Sequence, residues 1–388
     1  MGLDHFSARP RVERSPYKVA DHSLRGATAR AWGVGLTIVV GLVTPLTSGF
    51  SQSLDAIVRP KSSLVLEDVG SFIVGGQTIT DARGKLIVVN QMYVEYMRPR
   101  GSAKSVPVVM VHGGGFTGKI YQTKPDGGMG WEEYFARRGF AVFVADQVGR
   151  GRSAPDLSAI EQVRTRNLLP SALPNIRRTS VDDAWTTFRL GPRPGVPYAD
   201  TQFPIGAIEA FSRQITPSVG KPQQPENYSV LARLAADLRG AVLIGHSESG
   251  QYPIEAALLD AAGIRGAVMI EPSCKRVSFE DKSLISYSDG EIARLTKVPL
   301  LIVFGDHLDM PWMFGASWRN AFDDCVALAG RVNAAGGSAH ILYPPDKSVR
   351  GNSHMLMVDR NSDQIADWII DWIRQYVPAE PSKKKRPH

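Results

Sequence analysis

Cysteine is nearly absent, with only Cys274 and Cys325 among 388 residues. Neither stands in a CxxC or Cys/His spacing, which excludes the usual thiolate metal sites and dithiol redox motifs. In an exported chain the two can form a disulfide; two buried thiols are the equal alternative. A basic binding face is missing too. The net charge of +7 comes wholly from the ends: residues 1–30 hold six basic and three acidic side chains, and the tail adds Lys383, Lys384, Lys385 and Arg386. Residues 31–382 are formally neutral, so no nucleic-acid partner is expected. The tail, 378–388, reads as a solvated disordered end.

The uncharged apolar run at residues 32–46 is shorter than the roughly 20 residues that span a bilayer. It follows a basic leader and precedes small residues at Ser51-Gln52-Ser53, the order of an export signal. Residues 1–53 are therefore expected to be a leader with a signal peptide. The protein is expected to be secreted or periplasmic, without a stable membrane span once mature; anchoring by an uncleaved segment is the second choice.

From Ser63 onward, β-like runs alternate with helical stretches, the order of a mainly parallel sheet flanked by helices. Runs at 63–73 and 85–96, with turn residues Gly75-Gly76, Asp81 and Gly84 between them, predict an antiparallel hairpin at the sheet edge. Strands follow at 106–111 and 140–145, with a helix near 131–138 between them. The alternation then breaks: residues 153–226 hold ten prolines and no strand-like run, which predicts an inserted helical cap. Short helices are expected there at 180–188 and 205–215, and Trp185, Phe188, Phe203 and Phe211 need something to pack against. Core elements are expected at 60–152 and 227–377. In the second block they are strands at 241–245, 266–270, 298–304 and 339–343 and helices at 248–262, 316–335 and 362–376.

The stretch Ala241-Val-Leu-Ile-Gly245-His-Ser247-Glu-Ser249-Gly250 is a buried strand, a tight turn and a helix start. Such a turn exposes a serine hydroxyl at the strand's C-terminal edge and admits only small residues two places either side, here Gly245 and Ser249. Ser247 is the candidate nucleophile. A serine there, not an aspartate, disfavours dehalogenase and epoxide-hydrolase chemistry. A serine hydroxyl needs a histidine base, and His354, in the loop before the last helix, is the candidate. After the strand at 106–111, His112-Gly113-Gly114-Gly115 lets backbone amides approach a developing oxyanion. Gly114, with Gly115, and Glu248 are the candidate donors. No Gly-Lys-Ser/Thr ending follows, which weakens a phosphate-loop alternative.

In these motifs and their order the chain resembles the α/β-hydrolase family over roughly residues 60–377, and Asp146-Gln-Val-Gly149-Arg-Gly151-Arg-Ser153 is a third landmark in the family's order. The resemblance implies a carboxylic-ester hydrolase working through an acyl-enzyme on a small-molecule ester, with no metal or organic cofactor. The family's usual acid follows strand seven as Gly-x-x-Asp, yet Gly305-Asp306-His307-Leu308-Asp309 puts aspartates one and four places after the glycine. Glu271, ending the strand after the nucleophile's, is similar to the acid of a branch of exported bacterial esterases. It is preferred, with Asp306 or Asp309 as alternatives. Lactonase, thioesterase or peptidase chemistry on the same triad stays open, as does a non-catalytic binding protein of this fold. The seven arginines Arg164, Arg166, Arg177, Arg178, Arg189, Arg193 and Arg213 bias the insertion positively, and solubilising exposed positions account for them most simply.

Overall fold

The computed structural model describes residues 54–377 except 59, 61 and 221. The expected leader and signal peptide at 1–53 and the basic tail at 378–388 lie outside the described residues.

Among the described residues twelve strands form in chain order: β1 Leu66–Thr80, β2 Leu86–Pro99, β3 Val108–Val111, β4 Val142–Ala145, β5 Ile176–Arg177, β6 Ser218–Val219, β7 Ala241–His246, β8 Ile264–Ile270, β9 Arg276–Ser278, β10 Ser283–Ile285, β11 Leu300–Val303 and β12 Ala339–Leu342. The helices are α1 Trp131–Arg137, α2 Ser158–Arg164, α3 Val181–Thr187, α4 Ile208–Ser212, α5 Glu226–Asp237, α6 Tyr252–Leu259, α7 Asp289–Leu295, α8 Trp318–Ala334 and α9 Ser362–Tyr376. Eight strands make one sheet in the order β1-β2-β4-β3-β7-β8-β11-β12. Its inner ladders, from β4 to β12, are parallel, and β1 and β2 run antiparallel at the edge. This is the α/β-hydrolase architecture that the resemblance implies.

The inner strands are buried on both faces, as parallel strands covered by helices must be. Successive side chains alternate sides. Val109, Leu243, Ala267 and Leu300 pack with Leu231, Ile254, Ile292 and Leu328 of α5 to α8. Val108, Val242, Val268 and Leu301 pack with Trp131, Phe135, Ile365 and Ile369 of α1 and α9. Local sequence fixes the helix starts: Ser288 and Ser317 each accept a hydrogen bond from the amide three residues on, opening α7 and α8.

The expected elements recur with four differences. Gly75 and Gly76 lie inside β1, not in the turn, which is formed by Asp81 with Lys85. Both take left-handed backbone, and a Cβ on Gly75 would sit 2.6 Å from Val230 Cγ2 of α5, so the helix lies too close for any side chain there. The predicted helix 248–262 divides into a 3₁₀ turn, Ser247–Ser249, and α6. The segment 153–226 is not strand-free, since β5 and β6 pair as a two-residue ribbon. Helices α5 and α7 and the hairpin β9–β10 have no counterpart in the expectation.

Between β4 and α5 the chain carries α2, α3 and α4. Trp185, Phe188, Phe203 and Phe211 are all buried, and Phe211 meets Phe116, Phe188 and Phe203 at ring distances of 5.4, 5.6 and 5.1 Å. Cys274 and Cys325 are joined as a disulfide. No helix among the described residues is long and apolar enough to cross a membrane.

Candidate active site

The turn after β7 is sterically determined. A Cβ at Gly245 would lie 2.0 Å from the Ser249 carbonyl oxygen, and one at Gly250 would lie 2.8 Å from Pro272 Cα. Ser247 between them is held at φ +56, a conformation that L residues rarely adopt and that the surrounding turn must impose. Ser249 does more than fit: its hydroxyl accepts from the His246 amide at 2.9 Å and donates to the Val111 carbonyl at 2.9 Å, tying the elbow to β3.

The glycine loop after β3 comes against this elbow. A Cβ on Gly113 would stand 3.0 Å from Ser247 Cβ, and one on Gly114 would stand 2.6 Å from Glu248 Oε2. A side chain at Gly113 would crowd the serine itself, and one at Gly114 would have to displace the Glu248 carboxylate. Neither the Gly114 nor the Gly115 amide donates to an acceptor among the described residues.

Ser247, His354, Glu271, Gly114, Gly115 and Glu248 all line one cavity of about 440 Å³. His354 lies in the loop between β12 and α9; its Nδ1 is 3.1 Å from Glu271 Oε2 at the C-terminal end of β8. Its backbone is fixed from two sides, by its own amide donating to the Phe188 carbonyl and by His246 Nε2 meeting its carbonyl, each at 2.9 Å. Phe188 lies parallel to the imidazole at 5.9 Å, and Trp318 packs on it at 4.6 Å.

Burial pushes the His354 imidazole down, Glu271 opposes that, and the Arg189 charge adds to it. The ring is therefore biased towards the neutral form a base requires. Burial alone would raise the Glu271 carboxyl, but the charge of Arg189 together with hydrogen bonds from His354 and Arg189 holds it at about 2. His246, buried and beside His354, is depressed to about 3 and is neutral.

The other two acids are elsewhere. Asp306 accepts from the His307 amide at 2.8 Å and the Gly351 amide at 3.1 Å, the loop-bracing role expected of such an aspartate. The Asp309 side chain is 93% exposed, with Arg319 as its ionic neighbour. His307 pairs with Asp200 at 2.9 Å and stacks on Tyr198. Ligand atoms of Asp200, Asp306 and His307 lie within 4.8 Å of one another, but these groups already satisfy each other and the loop backbone.

Arg189 is where the expectation for the arginines fails. Its side chain is fully buried and forms a two-pronged ion pair with Glu271, Nη1 donating to Oε2 at 2.8 Å and Nη2 to Oε1. Nothing in the sequence separates it from its six neighbours in the insertion. Arg177 and Arg178 are exposed and line the cavity mouth, and Arg177 pairs with Glu248 at 3.3 Å. Phe188, Trp312 and Trp318 supply apolar wall.

The chain is 37% identical to a bacterial esterase of known structure, a likeness that covers 82% of this chain and 98% of that one, with a TM-score of 0.75. It is 22% identical over 337 residues, 73% of this chain and 86% of the other, to a probable secreted lipase, phiG, of a fungal species (strain ATCC 74256). No family model matches it.

Proposed function

Given that this chain belongs to the α/β-hydrolase family of serine esterases, we propose that it hydrolyses small carboxylic esters through an acyl-enzyme, with Ser247 as nucleophile, His354 as base and Glu271 as the acid. The observation that carries the proposal is the convergence of a strained Ser247, a buried neutral-biased His354 and an ionised Glu271 on one cavity behind a glycine loop.

In this mechanism Ser247 Oγ attacks the ester carbonyl carbon while His354 Nε2 takes its proton. Glu271 accepts from Nδ1–H, fixing the tautomer and stabilising the imidazolium. The amides of Gly114 and Glu248 receive the oxyanion, each contributing on the order of 3 kcal/mol in the transition state. Collapse breaks the C–O bond, and His354 returns the proton to the departing alcohol. Water then attacks the acyl-enzyme with His354 again as base, releasing the acid and free Ser247. The apolar walls and the 440 Å³ volume suit a small ester.

Export is the second part of the proposal. It is supported by the basic leader and apolar run, by the disulfide, which persists in oxidising compartments, and by a relative named as a secreted lipase. The segment 153–226 is proposed as a cap over the cavity, since Phe188, Arg177 and Ser218 come from it.

A fluorophosphonate probe tests the core of the assignment. Intact-mass and peptide analysis is expected to place one adduct on Ser247, and Ser247→Ala is expected to lose both labelling and turnover of p-nitrophenyl esters. Near wild-type turnover by Ser247→Ala overturns the proposal. A panel of lactones, thioesters and anilides then separates ester hydrolysis from its sister reactions.

A further inference from the structure

We propose that Arg189, from the segment between β4 and β7, is a positioning residue of the triad: a cationic fork that holds the Glu271 carboxylate in the orientation His354 requires. The inference rests on Glu271 being the acid.

A glutamate has one more rotatable bond than an aspartate, so a buried glutamate must be immobilised to present one oxygen to an imidazole. Here every acceptor direction is taken. Oε1 accepts from Arg189 Nη2 and from the Gly305 amide, and Oε2 accepts from Arg189 Nη1 at 2.8 Å and His354 Nδ1 at 3.1 Å. The guanidinium is itself fixed: Nε donates to the Asp306 carbonyl at 2.8 Å, and the plane lies 4.8 Å from the Trp318 ring, which also packs on His354. Three donors in a rigid fork are something a lysine cannot supply. Arg189 holds left-handed backbone at φ +54, which the surrounding structure must sustain. Its neighbour Phe188 grips His354 by ring and carbonyl, so two consecutive residues hold both partners of the pair.

A residue that only fastened this segment to the core would affect stability alone. Arg189 also sets the field at the imidazole. The charged and titratable groups around the pair are His246 at 4.8 Å ring distance, Asp306 with Arg350, the His307–Asp200 pair and Tyr198. None of these is hydrogen-bonded to Glu271, whereas Arg189 is, through both Nη1 and Nη2. With the guanidinium removed, the carboxylate acts on the imidazolium unopposed, and His354 keeps its proton to higher pH.

The test compares Arg189→Met and Arg189→Lys with Glu271→Gln, each alone, and Arg189→Met with Glu271→Gln, following kcat and KM from pH 5 to 9. Arg189→Met is expected to lower kcat on the order of 10²-fold at neutral pH with KM little changed. The acidic limb of kcat/KM should move up by roughly one pH unit. Arg189→Lys, with charge but no fork, should lie between, and in the Glu271→Gln background Arg189→Met should lower kcat little further, because no carboxylate is left to position. An unmoved limb with wild-type kcat in Arg189→Met overturns the proposal whatever the melting temperature. If that variant does not fold, the same result in Arg189→Lys does so. Near wild-type turnover by Glu271→Gln is a different failure, that of the acid assignment.

Discussion

Replacing both cysteines by alanine tests how the loop after Glu271 is secured. Cys274 follows Glu271 by three residues, and Cys325 lies in α8, whose first residue, Trp318, packs on His354. The bridge closes a sequence separation of 51 residues. Constraint of the unfolded chain over that length gives about 14 cal/mol/K, or about 4 kcal/mol at 25 °C. Cys325 is fully buried and Cys274 is 3% exposed, so the lost packing of the two sulfurs adds a smaller term of the same sign. Guanidinium unfolding followed by far-UV circular dichroism is the assay, with oxidised wild type against Cys274→Ala/Cys325→Ala. The expected result is a loss of about 4 kcal/mol or slightly more, with a larger m-value because the unlinked denatured chain exposes more surface. Turnover of p-nitrophenyl butyrate at 25 °C should stay within a few-fold of wild type, because Arg189 and the Gly305 amide hold Glu271 independently of the bridge. A stability loss under about 1 kcal/mol would refute the loop-closure reasoning.

The two aspartates should separate from the glutamate in kcat assays. Asp309→Asn is expected to match wild type, and Asp306→Asn to lose about 1–2 kcal/mol of stability by setting an amide against the Gly351 or His307 amide. Glu271→Gln is expected to drop kcat by about 10³- to 10⁴-fold. Ser249→Ala should cost about 1–3 kcal/mol in chemical denaturation, since it leaves the buried His246 amide without its acceptor, and should lower kcat by loosening the elbow. Asp359 is fully buried, and burial raises its carboxyl from 3.8 to about 6. A raised native carboxyl binds its proton more tightly than the unfolded chain does, so its contribution is whole below about pH 4 and fades as pH rises through about 6. That is on the order of 3 kcal/mol, read from unfolding midpoints against pH.

The parts of the site written in contiguous sequence were legible there. Gly245, Ser247 and Ser249 are dictated by one tight turn in which a Cβ at 245 would meet backbone at 2.0 Å, so the residue types carry the geometry. The glycine loop is similar, since a Cβ on Gly113 would crowd Ser247 Cβ at 3.0 Å and His246 Nδ1 at 2.8 Å. The sheet was legible for a related reason: strands buried on both faces must read as unbroken apolar runs. Gly75 misleads because the cause of its glycine is Val230 of α5, more than 150 residues away, and Gly76 because it sits against Val88 and Gln91 of β2, not in a turn.

The proposed acid is hard to read for the same physical reason. Three carboxylates follow strand ends, and local spacing does not say which one meets an imidazole 83 residues further on. What separates them in the structure is the company each keeps. Asp306 is engaged with loop amides, Asp309 points to solvent, and Glu271 is enclosed with a guanidinium from 82 residues upstream. Burying a carboxylate without a counterion is costly enough that Glu271 and Arg189 form one unit energetically. One half of that unit sits in the core and the other in the proline-rich segment 153–226, where an arginine reads as surface. It follows that exchanging the segment 153–226 for another would remove the support of the proposed acid even with Ser247, His354 and Glu271 retained. An insertion swap that keeps 188–189 should preserve turnover, and one that discards them should lose it.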